Sequence, residues 1–211
     1  MNHEQIGLIS LRISFFIYLI YFIPQIWLNF KKKTTAGLSL NTHFLLFLAY
    51  ILDLAYAWGL NMQIEYKLVN FSGLLSLLIQ HFQIFFYIKS IKDLPKIKYW
   101  KIISLCFTSL ILFILGGLYF KIFSKFFLIG FGFIAGASWM TYIIPQLINN
   151  FKNPENKKGL SIVFIILCII GNSSDIVSAW MLNWELPSKI YSPLSLICKF
   201  IFAYQYFRKT P

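Results

Sequence analysis

The sequence predicts an all-α membrane protein: seven transmembrane helices, arranged as two parallel three-helix-bundle repeats joined by a linking helix (3+1+3). Three observations lead there. The 211 residues are 58% hydrophobic and only 12% charged, against about half and about a quarter in soluble domains. The apolar residues gather into runs of roughly 20, the length at which a helix crosses hydrocarbon. The first three runs are also echoed by the last three at a nearly constant spacing.

The spans are expected at residues 6–30, 38–60, 66–88, 102–120, 126–151, 160–182 and 190–207. The first run is long enough to be a span rather than a cleaved leader, and it ends on Lys31, Lys32 and Lys33. The third ends before Lys89, Lys92, Lys96, Lys98 and Lys101, the fifth before Lys152, Lys157 and Lys158, and the seventh before Arg208 and Lys209. Thirteen of nineteen Lys and Arg residues therefore lie in alternate loops and at the C-terminus. The net charge of +12 is thus an orientation signal. Basic residues mark the cytoplasmic side, which puts the C-terminus in the cytoplasm and the N-terminus outside or in a lumen. Nucleic-acid binding is excluded, because it needs a basic face or groove with base-reading residues and no such face can be assembled. The expected location is a plasma (bacterial inner) membrane or a lysosome-like organelle membrane, with the lipid bilayer as partner and the oligomeric state open.

Cys106, Cys168 and Cys198 sit inside apolar runs and form neither a disulfide framework nor a metal pattern. His3, His43 and His81 are scattered, and His43, near a helix start, reads as interfacial. No catalytic residue, metal site or cofactor is expected, and the chain does not read as an enzyme.

The repeat is explicit in the residues. Tyr21-Phe22-Ile23-Pro24-Gln25-Ile26 aligns with Tyr142-Ile143-Ile144-Pro145-Gln146-Leu147 at an offset of 121. Gly37-Leu38-Ser39 aligns with Gly159-Leu160-Ser161 at 122, and the same offset pairs Asp53 with Asp175, Trp58 with Trp180 and Asn61 with Asn183. Leu75-Ser76-Leu77 matches Leu194-Ser195-Leu196 at 119, which sets Gln80 opposite Lys199. The expected units are a first repeat over 1–95, a linking helix over 96–124 and a second repeat over 125–211. A parallel duplication of this kind places a solute site at the interface of the repeats.

Pro24-Gln25 and Pro145-Gln146, each followed by a basic loop and Gly-Leu-Ser, resemble the PQ-loop family of membrane transporters, related to the lysosomal cystine and cationic amino-acid transporters and distantly to the SWEET sugar transporters. The resemblance covers nearly the whole chain. It implies two three-helix bundles with alternating access between them, and a small polar solute, an amino acid of cationic or cystine-like type. Relatives often carry Gly-Asp or Gly-Asn early in the second helix of each repeat. Here Gly171-Asn172 fits, whereas Ala49-Tyr50 departs from the pattern.

A proline removes a backbone donor and loosens the helix around it, so Pro24 and Pro145 are expected hinges. Gln25 and Gln146 would bond the freed carbonyls or line the path. A carboxylate in hydrocarbon costs about 2.5–3.5 kcal/mol on insertion scales, which makes Asp53 and Asp175 candidate proton carriers or anchors for a substrate ammonium. Lys199, deep in the last span, is expected to pair with one of them or to meet a substrate carboxylate. Asn172, Gln80 and His81 complete the expected solute contacts. The function expected is an alternating-access, proton-coupled transporter of an amino acid. The alternatives are a SWEET-type sugar facilitator and a seven-helix receptor that moves no solute.

Overall fold

The computed structural model describes residues 2–35, 38–87, 94–152 and 161–207, with side chains omitted at 94–96. Gly37, Lys89, Lys92, Lys157, Lys158, Gly159, Leu160, Arg208 and Lys209, used above, lie outside the described residues, as does the side chain of Lys96. Among the described residues the fold is entirely helical: α1 (His3–Ile20), α2 (Ile23–Lys32), α3 (Leu40–Gly59), α4 (Ile64–Phe86), α5 (Leu94–Tyr119), α6 (Lys125–Thr141), α7 (Ile143–Lys152), α8 (Ile162–Met181) and α9 (Leu186–Phe207). α1 with α2 forms one broken span, and α6 with α7 another.

The breaks sit where the prolines require them. A proline cannot donate to the carbonyl four residues back. The residue four before Pro24 is Ile20, the last of α1, and the residue four before Pro145 is Thr141, the last of α6. The repeated Gly-Leu-Ser is a helix start. Ser39 caps α3 by accepting from Thr42 N, and Ser161 caps α8 by accepting from Phe164 N. The repeated Asn61 and Asn183 follow the far ends of the same helices, both at φ 51°. This left-handed conformation is one that Asn adopts more readily than most side chains.

Six spans are apolar and long enough to cross a membrane by length and composition, namely α1 with α2, α3, α4, α5, α6 with α7, and α8. α9 matches them in length, at 22 residues, but carries Pro187, Pro193, Lys189 and Lys199. The linking helix begins at Leu94, eight residues before the expected start of the fourth span.

α1 packs on α8 of the other repeat, and α3 on α6 of the other repeat. Within each repeat the third helix, α4 or α9, touches both of its companions, and α5 lies against α3 and α4. The core therefore sits between the repeats, around Phe22, Phe47, Tyr50, Tyr142 and Ile165, while residues such as Phe16, Leu105, Phe113 and Phe126 face outward. In a bilayer the outward faces gain nothing by leaving lipid, so close contact over small residues carries much of the helix association. Gly73 is one such point: the Tyr50 ring of α3 fills the space a Cβ would need.

Gly73→Val is therefore expected to overpack the α3–α4 contact and cost about 1–3 kcal/mol. A thermal melt of the purified protein in detergent should fall by several degrees relative to Gly116→Val, since nothing lies within 4 Å of a Cβ at Gly116.

Candidate functional site

A central cavity lies between the repeats and takes lining side chains from both. Asp53 of α3 is 6% exposed. Both its oxygens accept from the Tyr66 hydroxyl of α4, at 2.8 and 2.9 Å. One also accepts from Trp139 Nε1 of α6, at 3.3 Å. Asp175 of α8 is half-buried against the cavity, with Tyr18 and Ser14 of α1 as its polar neighbours. Each carboxylate is thus held partly by the opposite repeat. Lys199 of α9, 4% exposed, donates to Asn172 Oδ1. Asn172 Nδ2 in turn donates to Ser192 O at 2.7 Å, which fixes the amide so that its oxygen meets the ammonium.

The salt bridge expected between Lys199 and an aspartate does not form. Lys199 takes an amide partner instead, and the ion pair seen among the described residues is a surface one, Lys125 with Glu185 at 2.9 Å. The cavity therefore holds two carboxylates and one ammonium that are not paired with one another.

The register of the repeats corrects a second expectation. Lys67 donates to Asn61 Oδ1 and Lys189 to Asn183 Oδ1, while Gln83 donates to Ile26 O and Gln205 to Leu147 O. These twin bonds keep the offset at 122 along all of α4 and α9. The counterpart of Lys199 is then Leu77, and Gln80 stands opposite Phe202. Gln80 lies in a separate inner cavity on the Lys31–Lys33 side. His81 lines neither cavity: it bonds His43 at 3.3 Å and Ser104 at 2.9 Å, and lies parallel to the Trp100 ring. His43 is buried within the protein, at 3% exposure. Asp53, Asp175, Asn172 and Lys199 come together; Gln80 and His81 stand apart from them.

Two barriers separate the central cavity from the Lys31–Lys33 side. The first is an aromatic layer in which the Tyr21 and Tyr50 hydroxyls bond each other and Phe22 and Phe164 lie nearly parallel at 5.7 Å. The second is a reciprocal pair of bonds. Gln25 Oε1 accepts from Ser161 N at 2.9 Å, and Gln146 Oε1 accepts from Ser39 N at 2.8 Å. Each Gln thus reaches the first residue before a helix of the other repeat, and its amide nitrogen donates to the Asn four residues on, Asn29 or Asn150, at 2.9 Å. On the opposite side an open vestibule shares Tyr56 and Trp184 with the central cavity.

Sequence reading missed Tyr18, Tyr66 and Trp139. A signal existed: Tyr18 and Trp139 stand six residues before Pro24 and Pro145, at the repeat offset of 121. Each carries a donor toward the aspartate of the other repeat.

The family model described as PQ loop repeat matches residues 6–62 and 127–188, more than half of the chain. No curated protein matches it. Among solved structures, a eukaryotic SWEET transporter determined at 3.7 Å resolution is similar, at 16% identity and a TM-score of 0.70, covering 97% of this chain and 96% of that one. At this identity the likeness shows a common fold.

If the Gln bonds hold the inner side closed, Gln146→Leu should loosen it. The substitution removes two hydrogen bonds worth about 1 kcal/mol each. In a Cys106→Ser, Cys198→Ser background, Cys168 in the central cavity should react roughly tenfold faster with a membrane-impermeant thiol reagent added on the Lys31–Lys33 side. An unchanged labelling rate would remove the Gln pair from any gating role.

Proposed function

The chain belongs to the PQ loop repeat family, and from that premise we propose that it is an alternating-access membrane transporter of an amino acid, coupled to protons. The reading rests on one observation: two carboxylates and one ammonium share the central cavity without pairing among themselves. Buried charges cost several kcal/mol each unless compensated. An amino acid brings the compensation, with its carboxylate for Lys199 and Asn172 and its ammonium for Asp175. That leaves one negative charge, on Asp53. A proton or a cationic side chain of the solute neutralises it, so proton coupling and a preference for cationic solutes follow from the same charge count.

Alternation would use the two helix breaks. α2 and α7 swing about Pro24 and Pro145, the Gln25 and Gln146 bonds part together, and the central cavity opens to the inner side. The positive-inside rule makes that side cytoplasmic. A sugar facilitator is the second reading, favoured by the aromatic faces of Tyr50 and Trp139 at the cavity, which meet edge to face at 4.6 Å.

Uptake of radiolabelled L-lysine, L-cystine and D-glucose into proteoliposomes, with and without a pH gradient, decides between the two. Asp175→Asn is expected to abolish pH-driven amino-acid uptake. Lys199→Met should raise KM about 10–100-fold, the loss of a charged hydrogen bond at roughly 1.5–3 kcal/mol. Glucose flux indifferent to pH and to Asp53→Asn would replace the amino-acid reading with the sugar one.

A further inference from the structure

The inner cavity on the Lys31–Lys33 side has a polar wall that the duplication does not account for. His43, Gln80 and His81 of the first repeat correspond at the 122 offset to Ile165, Phe202 and Ala203 of the second. The second repeat thus carries apolar residues at all three places, while the first, on which the linking helix packs, carries polar ones. Gln80 lines the cavity, is 3% exposed and makes no hydrogen bond among the described residues. The Thr42 hydroxyl on the same wall is enclosed and also without a partner. A buried carboxamide facing a cavity costs stability unless something bonds it.

The imidazoles define what that something is. Ser104 Oγ donates its single proton to Trp100 O at 2.7 Å. It must then accept from His81 Nε2, 2.9 Å away. A neutral His81 protonated on Nε2 has a bare Nδ1, which accepts from His43 Nε2 at 3.3 Å. His43 is thereby left with an unprotonated Nδ1, a lone-pair acceptor on a side chain that lines the cavity. One hydroxyl at α5 thus sets the tautomers of two histidines. No Asp, Glu, Lys or Arg lines this cavity among the described residues, so it has no charge with which to hold a zwitterion tightly.

We propose that the inner cavity is a second, weaker solute station on the inner half of the transport path. Its His43 Nδ1 and Gln80 carboxamide engage an N–H or O–H donor of the solute after it leaves the central cavity. The station rests on the transport reading above. It sets affinity on the Lys31–Lys33 side and leaves the opposite side unaffected.

The test uses the full chain reconstituted in one orientation, with L-lysine and D-glucose as probes, and measures KM for probe offered on each side. His43→Phe and Gln80→Leu should each raise KM about tenfold from the Lys31–Lys33 side and change it less than twofold from the other. Equal changes on both sides, or none, overturn the station. Damage to the fold would lower the maximal rate from both sides and is separable in the same data. A 15N spectrum of histidine-labelled protein, with His43 assigned by its Phe variant, supplies a readout independent of flux. It should show Nδ1 bare and shifted by probe. A protonated Nδ1, or one that probe does not shift, overturns the proposal. If neither probe crosses the membrane, the transport reading falls, and the spectrum alone decides whether the site binds.

Discussion

Hydrocarbon offers a polar group nothing to bond, so a polar side chain within the spans costs stability unless it finds a partner inside the protein or faces a cavity. That constraint decides the interior of this molecule. Asp53, Lys199, Asn172, Gln25 and Gln146 are all buried, and each meets a donor or acceptor from another helix or from its own next turn. The outward faces are left to Phe, Leu and Ile. A cavity that can hold a polar solute is then possible only where the polar groups have been collected, between the two repeats.

The partners are exchanged across the repeats. Gln25 closes on the start of α8 and Gln146 on the start of α3. Trp139 reaches Asp53 from the second repeat, and Tyr18 neighbours Asp175 from the first. The helix contacts follow the same rule, α1 on α8 and α3 on α6. Neither repeat satisfies its own polar groups alone. A relative displacement of the repeats therefore strains bonds in twin pairs, and the prolines supply a break at the matching place in each half.

Much of this was legible in the chain. Span count, helix breaks and the parallel duplication rest on run length, on proline's missing donor and on residue identities at fixed offsets, all of which are local. The apolar helices α4 and α9 were harder. Leu75-Ser76-Leu77 matches Leu194-Ser195-Leu196 by composition alone, and only the twin bonds of Lys67 with Lys189 and of Gln83 with Gln205 fix the true register. The ion pair expected of Lys199 failed for a related reason. Sequence places a lysine and two aspartates in one membrane but does not say which face of α9 the lysine occupies, and Asn172 is the partner that face meets. The burial of His43 was not legible either, because proximity to a helix start does not say what packs over that end. Here the linking helix covers it through His81 and Ser104.

The most informative positions are those where the two copies disagree. Some residues that both halves share build the scaffold, as Ser39 with Ser161 does as a cap and Asn61 with Asn183 at a helix end, whereas the shared Asp53 and Asp175 line the central cavity. Where they differ, the surroundings can differ too, since the linking helix packs on α3 and α4 of the first repeat. Lys199 stands opposite Leu77 and Asn172 opposite Tyr50 at the central cavity. His43 stands opposite Ile165 and Gln80 opposite Phe202 at the inner one. At these unmatched positions the second repeat adds Lys199 and Asn172 to the central cavity, and the first adds His43 and Gln80 to the inner one. A symmetric pair of bundles would present a solute with the same surface twice. This pair instead lines one cavity with Asp53, Asp175 and Lys199 and the other with no charged side chain among the described residues.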